Sequence, residues 1–346
     1  MEIAVIGCGN MGSTHIQNLK ALPEQFVVGA VYDIDPAVRQ RAAEDGLPVC
    51  STLDELLAKP DVEICIVATP NDSHKDLCIA CMAAGKHVIC EKPATLNPKE
   101  LMEVLTAAKI YHRVFSVNQN RRWDRDFLTV KALYQSEKYG APIFIDSRVQ
   151  GSHGLPGNWL SHKGVGGMLM DWGVHLIDQL LCMIPGKVTQ VYAQMPILPG
   201  LQCEENAKVL LRFSGGEAAQ IQVDTRSYCK LPRWYVMFPE ATAVIPNIGD
   251  PCILYRQGEQ TGTAREGYFT GSGPSRTLAP SEEVVWDTFD IPVDDRFAYH
   301  FYQNVADAVR GKASLYVQPQ QVIRVMEVLE AAKESERQGC AIRCEI

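Results

Sequence analysis

Three features of the sequence predict an α/β region with a doubly wound parallel sheet, followed by an α+β region with a largely antiparallel, open-faced sheet. Short apolar bursts alternate with helical periodicity over the first 120 residues, the pattern of parallel strands joined by crossover helices. A glycine-rich turn, Gly7-Cys8-Gly9-Asn10-Met11-Gly12, follows the first burst. Later, in segments such as AAQIQVDT, apolar residues fall into a period of two.

Taken in order, the first strands are expected at Ile3–Ile6, Phe26–Tyr32, Ile64–Ala68, His87–Cys90 and Val114–Val117, with helices near 11–21, 36–45, 72–84 and 98–110. After Val117 the composition turns polar and basic, and NQNRRWDRDF reads as the crossover between a domain at 1–118 and a second at 119–346. Strands of the second domain are expected near 188–195, 206–213 and 218–225. In the last of these Ile221 and Val223 face one way and Gln220, Gln222 and Asp224 the other, so the sheet has one covered face. Residues 249–281, rich in Gly, Pro, Ser and Thr, read as a long irregular excursion. Helices near 297–310 and 319–337 close the chain, placed to pack back on the first domain.

Composition excludes several classes of function. A formal net charge of −8 and no Lys/Arg block argue against nucleic acid or an anionic membrane as partner. No apolar run approaches the roughly 20 residues of a membrane span. The chain opens on MEIAVIGCGNMG, already strand and turn, so no signal peptide is expected and a cytoplasmic location is. Cysteines such as Cys65 and Cys90 lie in apolar segments, and Cys78 and Cys81 form a Cys-x-x-Cys in a helical pattern with no second pair nearby. Reduced core thiols are expected, and no metal.

The glycine turn fits Gly-x-Gly-x-x-Gly between a strand and a helix, the Rossmann dinucleotide fingerprint. Gly7 permits the tight turn, Gly9 the approach of a pyrophosphate, and Gly12 the close packing of helix on sheet. The helix start at Asn10 and Met11 offers N–H groups to the phosphates. Asp33, about twenty residues on, ends the second strand, where a carboxylate bonds both ribose hydroxyls and repels a 2′-phosphate. NAD is therefore expected over NADP, with Arg39 and Arg41 read as a solvated helix face. Two further loops sit at strand C-termini, ATPNDSH (68–74) and CEKPA (90–94). Thr69, Pro70, Asn71 and His74 of the first, and Glu91 and Lys92 of the second, are expected near the cofactor. Asn71 has an equal reading as a helix cap, and His74 as a surface residue.

These motifs, in this order and together with GGMLMDWGVHLID (166–178), resemble the Gfo/Idh/MocA family, which includes glucose–fructose oxidoreductase and inositol dehydrogenase. The likeness runs nearly end to end. The family's Gly-Gly-Gly-x-x-x-Asp-x-Gly-x-His-x-x-Asp is matched by Gly166, Gly167, Asp171, Gly173, His175 and Asp178, with Val165 where the first glycine would stand. Asp171 and His175, four apart, share a helix face. The resemblance implies that they meet the nicotinamide and that the chain oxidises a secondary alcohol as an NAD-dependent sugar or polyol dehydrogenase. His175 is then the general base, Lys92 hydrogen-bonds the reacting oxygen, and Asp171 binds a neighbouring hydroxyl or orients the base. In some members the lysine is the proton acceptor. A homo-oligomer, dimer or tetramer, packed through the open sheet face, is also implied.

For the substrate, Asn120, Arg121, Arg122, Trp123, His153, Trp159, His162 and Lys163 are candidates for the outer cleft beside Lys92, Asp171 and His175. Trp159 reads equally as a stacking platform for a sugar or as core. No cluster of cations demands a phosphate, so a neutral sugar, glycoside or cyclitol is expected. Two other readings stay open: an enzyme holding NAD tightly for transient oxidation, at C3 of a glycoside for instance, and a non-catalytic NAD-binding sensor.

Overall fold

In a computed structural model, described at residues 1–155, 157, 159–258, 268–270, 273–275, 284–289 and 293–346, two sheets organise the chain. The first holds β1 (Glu2–Ile6), β2 (Val27–Tyr32), β3 (Val62–Val67), β4 (His87–Cys90) and β5 (Phe115–Val117), in the order β2-β1-β3-β4-β5 with every pair parallel. Both faces of this sheet are covered, so its central strands are apolar throughout; Ile3, Ala4, Val5 and Ile6 are all buried. Its helices are α1 (Asn10–Lys20), α2 (Pro36–Glu44), α3 (Leu53–Leu57), α4 (His74–Ala83) and α5 (Pro98–Ile110). Local capping starts three of them: Asp35 accepts from the Ala37 N–H, Thr52 from Glu55 and Asn97 from Glu100. Strand order reverses direction between β1 and β3, and the crevice at their C-terminal ends is where such sheets bind ligands.

The second sheet has nine strands: β6 (Phe144–Gln150), β7 (Val188–Gln194), β8 (Asn206–Phe213), β9 (Ala218–Asp224), β10 (Trp234–Met237), β11 (Ala241–Ile245), β12 (Cys252–Gln257), then β15 (Val284–Phe289) and β16 (Ile342–Arg343) beyond a separate hairpin, β13 (Tyr268–Thr270) with β14 (Gly273–Ser275). The order is β15-β12-β11-β10-β6-β9-β8-β7-β16, antiparallel except for β6 against β9. Among the described residues, four α-helices accompany this sheet: α6 (Arg125–Gln135), α7 (Val174–Met183), α8 (Phe297–Val309) and α9 (Pro319–Gln338). In β8, Ala207, Val209, Leu211 and Phe213 point inward, while Lys208, Leu210 and Arg212 stay exposed. Helices α7 and α9 pack on the covered face.

Two expectations change here. The basic stretch after Val117 is no simple crossover: it makes a 3₁₀ turn at Asn120–Trp123 and enters α6. The segment 249–281 contains β12, paired on both sides by β11 and β15; residues 259–267, 271–272 and 276–281 lie outside the described residues. The α4 thiols, Cys78 and Cys81, are buried. Among the described residues, no helix is long and apolar enough to cross a membrane.

Candidate active site

The glycine turn after β1 is built as tightly as its sequence demands. Gly7 has φ +90°, and a Cβ there would lie 2.6 Å from the Ala68 carbonyl oxygen; at Gly12 it would lie 1.8 Å from that of Gly7. Gly9 differs: nothing lies within 4 Å of the position its Cβ would take. Helix α1 begins at Asn10 and Met11 with no side-chain cap and no acidic residue in its first turn. Its N–H groups and its partial positive charge therefore face outward unspent. Asp33 is pinned beside them, one oxygen accepting from the Cys8 N–H at 2.8 Å, the other from Asp35 N–H at 2.9 Å. An open floor at Gly9, bare helix N–H groups and an oriented carboxylate fit a dinucleotide. Arg39 is not on a solvated face: half-buried, it donates to the carbonyls of Asp33 at 2.7 Å and Ile34 at 3.1 Å.

The loops after β3 and β4 are tied to each other. The Thr69 and Ser73 hydroxyls pair at 2.7 Å, and Ser73 donates to the Pro70 carbonyl. The His74 ring bridges the carbonyls of Thr69 at 2.8 Å and Pro93 at 3.0 Å and is 1% exposed. It braces both loops, which corrects the expectation of a surface residue. Asn71 does not cap α4; its amide donates to the Val165 carbonyl at 2.8 Å, in the second half of the chain. The Glu91 side chain turns inward. Its carboxylate is buried beneath the loop, accepting from His15 at 2.7 Å, Asn118 at 2.5 Å and the Lys92 N–H at 3.2 Å. Burial pushes its pKa up, but the hydrogen bond and charge of His15, then Asn118 and Lys92, outweigh it and hold the group below the usual carboxylate range.

Across the crevice, the turn that Val165 opens is closed by backbone bonds from Gly166 to His162 and from Gly167 to Leu160. A Cβ on Gly166 would strike the Leu160 backbone, and Gly167, at φ +101°, sits against the Glu204 carboxylate. Glu204 accepts from the Leu169 N–H at 3.1 Å, supporting the start of the helical segment. That segment is not a plain α-helix. Leu169–Gly173 is a π-turn and α7 follows it, so Asp171 lies where the helix is widened.

Lys92 Nζ donates to Asp171 Oδ1 at 2.8 Å and to its backbone carbonyl at 3.0 Å, joining the two halves at the crevice. His175 is 4% exposed, and its Nδ1 is buried without a hydrogen-bond partner. Burial, then the charges of Lys92, Arg121 and Arg233, hold its imidazole well below the usual histidine range. The Trp172 ring meets it edge-on at 5.7 Å, and Arg121 lies over that indole at 4.5 Å. One turn on, Gln179 accepts from Arg233 and donates to the Arg121 carbonyl, both at 2.8 Å, which fixes the rotation of α7.

The outer-cleft candidates divide. Asn120 is half-buried, and its side-chain oxygen, like those of Asn118 and Gln119 just after β5, is a buried acceptor without a partner. Such acceptors are costly unless a ligand supplies donors. Arg122 is corrected: 2% exposed, it grips Asp178 through Nε at 2.8 Å and Nη2 at 2.6 Å, and Gln321 through Nη1 at 2.8 Å. Trp123 is core, packed on Phe297, Phe301 and Tyr316. His153, His162 and Lys163 are exposed. The Trp159 side chain lies outside the described residues. Nothing in the sequence pattern marks His15, Gln179, Glu204, Arg233 or Tyr302, whose hydrogen-bond partners lie far away in the chain.

Known proteins share this fold. A family model described as an oxidoreductase family with an NAD-binding Rossmann fold matches residues 1–119, and the family's C-terminal domain model matches 127–244. A solved NAD-binding protein from Listeria innocua is 35% identical, with a TM-score of 0.92 over 99% of both chains. An uncharacterized oxidoreductase of Schizosaccharomyces pombe is 33% identical over 62% of this chain and 60% of its own length, so the chain spans less than two thirds of that relative. A scyllo-inositol 2-dehydrogenase (NADP(+)) of Bacillus subtilis is 27% identical over 100% of this chain and 96% of its own. With both domain models matched in order across most of its length, the chain belongs to the Gfo/Idh/MocA family of NAD-binding oxidoreductases.

Proposed function

We propose that this protein is an NAD-dependent dehydrogenase that oxidises a secondary alcohol of a neutral sugar, glycoside or cyclitol. The observation that carries the reading is the 2.8 Å Lys92–Asp171 pair, formed between the two halves of the chain at the mouth of a dinucleotide crevice. Bound NAD supplies the hydride acceptor. Gly9 and the α1 N-terminus would hold its pyrophosphate, and Asp33 its ribose hydroxyls. NAD is favoured over NADP because Asp33 repels a 2′-phosphate and Arg39 is already engaged by two backbone carbonyls.

The chain's own groups divide the proton work. Lys92, an ammonium with donors and no acceptor, hydrogen-bonds the reacting oxygen and stabilises alkoxide charge. Asp171 orients Lys92 and accepts from a neighbouring hydroxyl. His175, kept neutral by burial and by nearby cations, takes the hydroxyl proton. The unpaired acceptors of Asn118, Gln119 and Asn120 suit a ligand rich in hydroxyl or amide donors. The B. subtilis relative's inositol substrate is a ligand of that kind.

A panel of sugars, glycosides and inositols, followed by NADH absorbance with NAD and with NADP, tests the reading. One neutral polyol should give NADH, with NAD the better cofactor. Lys92→Ala and His175→Ala should each lower kcat at least about a hundredfold and leave NAD affinity within a few fold. Near-normal turnover in either variant removes that residue's role. If the protein binds NAD and oxidises nothing in the panel, the sensor reading takes over.

A further inference from the structure

Beneath the Lys92 loop runs a buried polar chain that the proposed chemistry does not use. Its members come from three distant parts of the sequence: His15 on α1, Glu91 after β4, and Tyr302 on α8, 287 residues beyond His15. All three are at most 4% exposed. Glu91, a carboxylate, can only accept, so His15 Nε2–H donates to it at 2.7 Å. Nδ1 of the same ring hydrogen-bonds with the Tyr302 hydroxyl at 2.5 Å. Glu91 in turn receives the Asn118 amide and the backbone N–H of Lys92. An apolar trio would fill this space at lower desolvation cost, so packing alone does not account for the polar residues.

We propose that His15 and Tyr302 are positioning residues that act through Glu91 to set the Lys92 loop, and with it the reach of Lys92 toward Asp171. The inference rests on the reading of Lys92 as the group facing the reacting oxygen. The geometry supports it at both ends. The chain starts on the helix whose N-terminus faces the cofactor and on a helix from the far end of the sequence. It finishes on the peptide N–H of the residue that grips Asp171. Loading of the cofactor helix and packing of α8 are thereby transmitted to the same backbone atom. A misplacement of about 1 Å at such a group costs on the order of 10²-fold in rate.

The test uses full-length protein with NAD bound and the variants His15→Leu, His15→Gln and Tyr302→Phe. Lys92 is labelled with acetic anhydride and its rate read by peptide mass spectrometry, with exposed Lys109 as internal standard. His15→Leu should raise the labelling of Lys92 several-fold and lower kcat tenfold or more, leaving NAD affinity within about threefold. His15→Gln, whose amide can still donate to Glu91, should recover most of both. Should His15→Leu fail to fold, Tyr302→Phe carries the test: it keeps the ring and removes only the hydroxyl, and a smaller shift in the same direction is expected. Folded variants with unchanged Lys92 labelling and unchanged kcat overturn the proposal. Altered labelling in a protein that oxidises no polyol retains the positioning chain and overturns the dehydrogenase reading instead.

Discussion

His175 is a basic group held neutral, and that has a sign that can be measured. Its folded-state pKa is depressed by burial and by Lys92, Arg121 and Arg233, below the value of about 6.5 it would have unfolded. Above pH 6.5 neither state binds the proton and the group makes no demand. As pH falls below 6.5 the unfolded chain takes up a proton that the folded chain refuses, so stability drops until the folded pKa is reached. Asp124 runs the other way, since burial pushes it up to about 6 and it favours the folded state as pH falls. The clean quantity is the difference between wild type and His175→Asn, in which Asp124 cancels. Urea denaturation from pH 7.5 to 5 should show the wild type losing stability relative to the variant, with all the change below about 6.5. A difference that is flat across this range would mean His175 titrates normally, and its role as a neutral base would fall with it.

At the scale of an element, the three glycines that start α1 make separable demands. Gly12 supports packing: its Cβ would meet a backbone oxygen at 1.8 Å, and neither atom can move far. Gly12→Ala should cost about 3 kcal/mol or more, the upper end of overpacking. Gly9 has open space, so Gly9→Ala should melt within about 0.5 kcal/mol of wild type. The methyl group would instead stand where the pyrophosphate approaches, and NAD affinity should fall at least about tenfold, or 1.4 kcal/mol. Thermal melts and NAD titration measure both, and a Gly9→Ala variant that binds NAD normally reduces the fingerprint to a plain turn. This turn could be read from sequence because its requirements lie within six residues. The same holds for β1 to β5, whose apolar runs and flanking helices are local signals. Strands β6 and β10 to β12 escaped because short strands are defined by partners: β6 pairs with β9, more than seventy residues on. The π-turn at Asp171 escaped too, since helical periodicity does not distinguish one widened turn. The burial of the Glu91 and His74 side chains is not legible in sequence, because a position after a strand or at a helix start does not say which way the side chain faces.

At the scale of the whole molecule, the working cleft requires the two halves to hold one relative placement, and Arg122 is the main candidate for fixing it. Its guanidinium leaves the turn after β5, forks onto Asp178 of α7, and reaches Gln321 of α9, so one side chain joins the end of the first sheet to two helices of the second half. Asp178 stands one turn beyond His175, and a shift of that pair would carry the proposed base with it. Both side chains are 2% exposed, so neither charge can fall back on water if its partner is removed. Arg122→Ala strands the Asp178 carboxylate and should cost about 3–5 kcal/mol. The double variant Arg122→Met/Asp178→Leu removes both charges, keeps most of the volume, and should recover most of that loss. Urea denaturation of the single and double variants gives the coupling directly. A residue that bound substrate would behave differently, raising KM in a protein of unchanged stability. If Arg122→Ala does that, the guanidinium faces the ligand after all and the ion pair is incidental. If instead the double variant is stable but turns over slowly with normal NAD affinity, the pair's contribution is alignment of α7 with the Lys92 loop rather than stability.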